Sequence, residues 1–205
     1  MTTEIFLPTT ENMLRAGEMI RRGELVAFPT ETVYGLGADG LNVEACRKIY
    51  IAKGRPQNKP LTLHVADFTQ IAELAEISSV AEKLIKKFCP GPLTLILPKK
   101  DIVPDFVTCG SKGVGIRFPD NKIAQDLIKI SGRAIAAPSA NISGEAAPIT
   151  AREVFDNLSG RVRMILDGGE CLVGISSTVL DLTDGIKVLR QGTISISDIN
   201  KSLCD

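Results

Sequence analysis

The chain has 205 residues, 44% of them hydrophobic and 23% charged, enough for one domain to bury a sizeable core without a second independent domain. Lys plus Arg equals Asp plus Glu at 24 each, so there is no basic excess of the kind a general nucleic-acid binder carries, and any anion site must be local. Cys46, Cys89, Cys109, Cys171 and Cys204 are widely spaced with no Cys-x-x-Cys, which argues against a disulfide framework or zinc cluster, and the single histidine, His64, excludes a zinc site built on several imidazoles.

The first seven residues lack a charged leader region, and no run approaches the roughly 18 to 20 apolar residues of a membrane helix, so a soluble, cytoplasmic protein without a membrane partner is expected. Residues 10–22 predict an amphipathic helix with Met13, Leu14 and Ile20 inward and Gly23 as its stop, then an apolar strand over 25–28. A helix over 43–52, a strand over 61–65, a helix over 80–88 behind the Ser78/Ser79 cap, and a strand over 93–97 ended by Pro98 follow. Next come a strand over 114–118, a helix from the Asn121 cap to 130 with Gly132 after it, and a short buried strand over 134–137. Thr150 and Glu153 form a capping-box pattern that opens a helix through 158. Residues 164–166, 178–182 and 187–189 then read as strands, and 195–203 as a short terminal helix. The alternation predicts an α/β fold. Because the last three strands follow one another with only turns between, part of the sheet should be antiparallel, giving a mixed, twisted open sheet flanked by helices.

Two loops share one geometry. In Lys53-Gly54-Arg55-Pro56 the proline pushes Arg55 into the extended region, where residues two apart point the same way, so Lys53 and Arg55 are expected to project together. The same spacing recurs in Pro138-Ser139-Ala140-Asn141, pairing Ser139 with Asn141. Lys beside Arg suits a polyphosphate, and Ser with Asn an oxygen-rich ligand; Lys59 adds a third cation near by, although a solvated basic loop explains the same residues. The chain has no Gly-x-x-x-x-Gly-Lys-Ser/Thr and no Gly-x-Gly-x-x-Gly between a strand and a helix, so nucleotide binding would need side-chain cations.

Other segments offer a structural and a functional reading side by side. The loop over 29–37 mixes hydroxyls, Glu31, Tyr34 and two glycines, which fits either a rigid turn around a satisfied tyrosine or the lining of a site. Alternation in 61–65 puts Thr62 and His64 on one face, His64 being a structural residue or a functional one. Arg117, a charge inside an apolar strand, either snorkels or clamps a carboxylate or phosphate. Asp167-Gly168-Gly169 leads through Gly174 to Ser176-Ser177-Thr178, a stretch of mobile backbone N–H groups and hydroxyls suited to an anion.

These segments, together with Lys59-Pro60-Leu61, Gly91-Pro92-Leu93-Thr94, Gly115-Ile116-Arg117-Phe118-Pro119 and Leu189-Arg190-Gln191-Gly192, resemble the ordered motifs of the YrdC-like threonylcarbamoyl-AMP synthases over about residues 10–192. The resemblance is to the single-domain type, and implies one catalytic domain over 1–205 with a concave cationic cleft. It implies a nucleotidyltransferase that joins L-threonine, bicarbonate and ATP, with Mg²⁺ accompanying the ATP, and supplies the tRNA-modifying threonylcarbamoyl transferase machinery; weak direct tRNA contact is compatible with it. Carried onto this chain, Lys53, Arg55, Ser139, Asn141 and Tyr34 would be catalytic, Tyr34 orienting bicarbonate. Lys53, Arg55, Lys59, Ser139, Asn141 and Arg190 would hold ATP, and Thr32, His64, Arg117 and Ser177 threonine. His64 would be the base if the amine needs one, having the only side chain that ordinarily titrates near neutrality. No protein-held metal is implied.

Three alternatives use the same scaffold. A branch acting on carbamoyl phosphate sits among zinc-finger-like and acylphosphatase-like modules that this sequence lacks. A non-catalytic RNA-binding module is disfavoured by zero Trp, two Tyr and neutral charge. A paralogue with degenerate motifs is disfavoured by the intact Ser139-x-Asn141.

Overall fold

The structure, a computed structural model, describes residues 1–204. In chain order the strands are β1 (Glu4–Phe6), β2 (Val26–Phe28), β3 (Gly35–Asp39), β4 (Thr62–His64), β5 (Leu93–Pro98), β6 (Gly113–Arg117), β7 (Ile135–Ala136), β8 (Met164–Leu166), β9 (Thr178–Asp181) and β10 (Lys187–Arg190). The helices are α1 (Thr10–Arg21), α2 (Val43–Lys53), α3 (Phe68–Leu74), α4 (Ser79–Phe88), α5 (Asp105–Thr108), α6 (Lys122–Ser131), α7 (Ala151–Leu158) and α8 (Ile196–Cys204).

Short polar side chains start most of the helices. Thr9, Asn42, Asp67, Ser78 and Asn121 each accept a backbone N–H of the first turn they precede. At α7 the Thr150 hydroxyl accepts the Glu153 N–H while the Glu153 carboxylate accepts the Thr150 N–H, so the capping box forms as its spacing predicts. Gly54 (φ 59°) and Gly132 (φ 63°) end α2 and α6 in the left-handed conformation.

The sheet order is β1-β8-β2-β3-β7-β4-β6-β5-β9-β10, with parallel pairs β1/β8, β2/β8, β4/β6 and β5/β9 and antiparallel pairs elsewhere. The mixed sheet is as expected, but the reason given for it holds only in part. β9 and β10 form the antiparallel hairpin, whereas β8 lies near the far edge, parallel to β1 and β2. The connection from β8 to β9 therefore crosses the molecule instead of making a turn, and it carries the 167–177 loop with it.

Helices cover both faces. Within β2, Ala27 joins one apolar cluster with α2, α4 and α7, while Val26 and Phe28 join the other with Met13, Ala16 and Ile20 of α1 and Leu127 and Ile128 of α6. Leu14, expected inward, is 55% exposed, because the α1 stripe instead runs through Met13, Ala16, Gly17, Met19 and Ile20. The segment expected as a loop over 29–37 ends inside β3, every residue of which is buried. A Cβ on Gly37 would lie 2.7 Å from the Phe28 ring and 2.8 Å from Ile135, so the glycine lets neighbouring side chains close over the strand. Four cysteines (Cys46, Cys89, Cys109 and Cys171) are free thiols; the side chain of Cys204 lies outside the described residues. No helix among those described is long and apolar enough to cross a membrane.

Candidate active site

Three central strands build the floor of a cavity by their register alone. His64 on β4 pairs with Arg117 on β6, and Arg117 pairs with Thr94 on β5, so the three share one row across the sheet. The next row, Leu63, Ile116 and Leu95, points into the core on the opposite face, as period-2 alternation requires. Thr62 is two residues from His64 on the same side and pairs with Gly115, whose missing side chain leaves the floor open. His64, Thr94, Arg117 and Thr62 line a cavity of about 170 Å³, and Arg55 and Ser139 close one side of it while Ser177 and Arg190 close the other.

Arg117 is 6% exposed and does not snorkel. Its Nη2 donates to Thr32 Oγ1 at 2.8 Å and lies 2.9 Å from Glu31 Oε1, an ion pair by distance whose angles do not make a hydrogen bond. A turn presents both partners: the Thr30 hydroxyl accepts the Thr32 and Val33 N–H groups, donates to the Val33 carbonyl, and stands 2.9 Å from the Thr32 hydroxyl. Beside Arg117, burial first and the guanidinium charge second lower the His64 pKa to about 3. His64 is thus neutral throughout the physiological range, with Nδ1 buried and unpartnered. An imidazole so placed offers hydrogen bonds and is a weaker base than an ordinary one. On the other side of the row, Thr94 Oγ1 meets Ser177 Oγ at 2.8 Å, and Arg190 donates to the Ser177 carbonyl (3.0 Å) and hydroxyl (3.3 Å).

The Lys53/Arg55 geometry departs from the alternation expected of it. Lys53 is the last residue of α2, and left-handed Gly54 turns the chain before Arg55, so the two do not project side by side. Proline restricts only the residue directly before it, Arg55, leaving Lys53 free to finish the helix. Lys53 is 1% exposed and donates at 2.5 Å to the main-chain carbonyls of both Ser139 and Asn141. Burial, then the Arg55 charge, lower its pKa to about 8. Arg55 reaches the cavity, donating to the Pro60 carbonyl at 2.9 Å and the Lys59 carbonyl at 3.3 Å, and burial lowers its pKa as well. Lys53 and the Ser139–Asn141 segment do meet, but through backbone.

Ser139 and Asn141 also diverge. Ser139 lines the cavity, whereas the Asn141 amide turns back to the Ile142 and Glu145 carbonyls at 2.7 and 2.9 Å, leaving Oδ1 buried and unpartnered. Tyr34 is wholly buried and is not among the residues lining the cavity: its hydroxyl donates to the Gly169 carbonyl (2.7 Å) and accepts the Gly168 N–H (3.2 Å), tying down the β8–β9 crossing, and burial pushes its pKa well up. Lys59 is exposed, and its contribution to these contacts is its carbonyl. Thr94 and Glu31 were not singled out from sequence, although both sit in quoted motifs. Alternation in Leu93-Thr94-Leu95 was the available signal for Thr94; nothing local marks Glu31 as the partner of a residue 86 positions away.

The cavity of this mixed-sheet α/β protein gathers three arginines, hydroxyls and an imidazole, groups chemically suited to small oxyanionic molecules. A family model described as telomere recombination (Sua5/YciO/YrdC) matches residues 18–192, and the chain belongs to that family. It is 50% identical over 188 residues to the threonylcarbamoyl-AMP synthase of Pyrococcus abyssi, covering 91% of this chain and 55% of that protein. It is 49% identical over 188 residues to that of Bacillus subtilis, covering 90% and 54%. The chain thus spans about half the length of these curated relatives. The crystal structure of P. abyssi Sua5 complexed with L-threonine superposes with a TM-score of 0.93 at 46% identity, covering 98% of this chain and 60% of that one.

Proposed function

We propose that the protein makes threonylcarbamoyl-AMP and pyrophosphate from L-threonine, bicarbonate and ATP, supplying the activated group for tRNA threonylcarbamoyladenosine formation by a downstream transferase, in the cytoplasm. The observation that carries the reading is the joining, in one cavity, of the His64–Arg117–Thr94 row to Arg55, Ser139 and Arg190, in a chain so close to relatives named for that product.

The threonine carboxylate would face Arg117 beside Thr32, with Ser177 and neutral His64 offering hydrogen bonds to the remaining polar atoms. The amine attacks the carbon of bicarbonate and expels hydroxide, which leaves as water with the amine proton, or attacks the CO₂ formed when bicarbonate has already lost hydroxide and gives its proton to that hydroxide; either route forms an N-carboxylate and water. That carboxylate then attacks the α-phosphorus of ATP, and the bond to pyrophosphate breaks. Arg55 and Arg190 would hold the phosphates, and the exposed Lys59, four residues from Arg55, would add a further cation. Lys53 and Asn141 would act from behind, fixing the backbone on which Ser139 is carried, and Tyr34 would hold the 168–169 segment. Such catalysis is mainly positioning, a contribution of up to about 7 to 11 kcal/mol when geometry is favourable.

Among the described residues no group of three or more His, Cys, Asp or Glu side chains comes together. A magnesium requirement would belong to the ATP phosphates.

The test is ATP consumption with bicarbonate present and each amino acid supplied in turn. Pyrophosphate release that depends on L-threonine and is lost in folded Arg55→Ala supports the reading; release indifferent to the amino acid refutes it.

A further inference from the structure

Three arginines line one small cavity, yet among the described residues only one of them has a carboxylate within ion-pair distance. Arg117 Nη2 lies 2.9 Å from Glu31 Oε1, their side chains being 7% and 12% exposed. Both Glu31 oxygens are sealed from solvent and accept no hydrogen bond, so the ion pair is their sole polar contact and salt screens it little. The thiols of Cys89 and Cys171, which also face Glu31, are held neutral by burial, with pKa values raised to about 12 and about 11. By contrast, among the described residues no carboxylate lies within 4.0 Å of Arg55 or Arg190. Arg55 donates to the carbonyls of Lys59 and Pro60, and Arg190 to the carbonyl and hydroxyl of Ser177. The cavity is therefore near neutral around Arg117 and positive around the other two.

We propose that Glu31 sets which anion Arg117 accepts: it suits the floor between Arg55 and Arg190 to a singly charged carboxylate and leaves polyphosphate to the two flanking guanidiniums. A multiply charged phosphate chain gains from the two uncompensated guanidiniums, but at Arg117 the buried Glu31 carboxylate behind the guanidinium offsets part of its attraction. An amino acid carries one carboxylate and, before reaction, a compensating ammonium, so the neutral half suits it. Without the Glu31 charge, the three arginines would form one continuous polyphosphate site, and the reaction's own product, pyrophosphate, would occupy Arg117 as well. This assignment rests on the proposed synthase reading for the identity of the amino acid, but not for the charge asymmetry.

Calorimetric titration of pyrophosphate and of L-threonine into the wild-type protein, Glu31→Gln and Glu31→Asp tests it. In the wild type, saturating pyrophosphate should leave threonine affinity unchanged. In Glu31→Gln, pyrophosphate should bind about tenfold more tightly, the scale on which one close charge shifts an ionic equilibrium, and should now compete with threonine. Glu31→Asp, which keeps the charge, should restore exclusion. Weakened threonine binding in Glu31→Gln with pyrophosphate affinity and competition unchanged would overturn the proposal and leave Glu31 as a positioning residue for Arg117. If Glu31→Gln does not fold, displacement of threonine by pyrophosphate from the wild type overturns it equally. A wild type that binds no threonine sinks the synthase reading alone; the tenfold gain for pyrophosphate in Glu31→Gln would still support the charge assignment.

Discussion

The two sides of the cavity are built by different means. On one, His64, Arg117 and Thr94 stand on adjacent strands, and their spacing is set by sheet hydrogen bonds. On the other, Arg55 and Ser139 sit on irregular chain, and buried Lys53 supplies the rigidity that a sheet would otherwise give by gripping two carbonyls of the 139–141 segment. A strand row is suited to a compact substrate whose groups must be placed within tenths of an ångström. A loop braced from behind suits a long, flexible polyphosphate, where charge matters more than exact placement.

The comparison breaks most severely at Arg117. Arg117→Ala removes the proposed carboxylate clamp and leaves the Glu31 charge buried without a partner, so a loss of about 3 to 5 kcal/mol in stability and at least about a hundredfold in turnover is expected. Thermal melting separates the two effects, because the double variant with Glu31→Ala should recover much of the stability and none of the activity.

Lys53→Met attacks the brace on the other side. Two buried carbonyls lose their donor, an expected cost of about 1 to 3 kcal/mol, with ATP binding weakened more than threonine binding. The variant should also change the pH dependence of folding. Burial lowers the folded-state pKa of Lys53 to about 8 from 10.5, so between those values the unfolded chain holds the additional proton and wild-type stability rises with pH. Subtracting the denaturation curves of Lys53→Met should isolate that rise. His64 follows the same sign lower down: stability should increase between pH of about 3 and 6.5, and the pH–rate profile should show no limb near 6.5 that His64→Asn removes. Such a limb would restore the imidazole as a base.

The side built on loops was the more legible in sequence, because its residues are consecutive and lie next to prolines and glycines with few alternative uses. Even there, the extended-pair argument failed in both loops: Gly54 takes the left-handed conformation and Lys53 goes with the helix, and the Asn141 amide turns back to the Ile142 and Glu145 carbonyls while Ser139 lines the cavity. The helix ends and most strands followed from caps and alternation, each a local effect. The row of His64, Arg117 and Thr94 did not, because β4, β6 and β5 are neighbours in space and not in chain order. Alternation can say which face of a strand a residue occupies, but not which strand lies beside it. Resemblance to a known family supplied part of that missing long-range information, bringing Arg117 and His64 together. It was silent on Glu31 and Thr94.

A smaller effect is expected where the chain after β10 crosses the site. A Cβ at Gly192 would come within 2.6 Å of Ser177 C and Thr178 N, backbone atoms that cannot rotate away. Gly192→Ala should therefore push the segment carrying Ser177 and strain its bonds to Arg190, costing about 1 to 3 kcal/mol. Because Ser177 joins the strand row while Arg190 faces the phosphates, this is the one substitution expected to raise KM for both threonine and ATP.

Thr94→Val is expected to do least, and it discriminates most finely between the two sides. The shape is kept, and only the hydroxyl that meets Ser177 Oγ at 2.8 Å is lost, a hydrogen bond worth about 1 kcal/mol. Ser177 keeps its contacts with Arg190, so the residue should not come loose. If the strand row holds threonine, the change should appear as a few-fold rise in KM for threonine with ATP unaffected. The effect should also largely vanish when Ser177 is already alanine, since the two hydroxyls act through one bond. A loss seen instead in ATP affinity would place Thr94 and Ser177 with the phosphates, and the division between a sheet-built amino-acid side and a loop-built nucleotide side would have to be redrawn through the middle of the row.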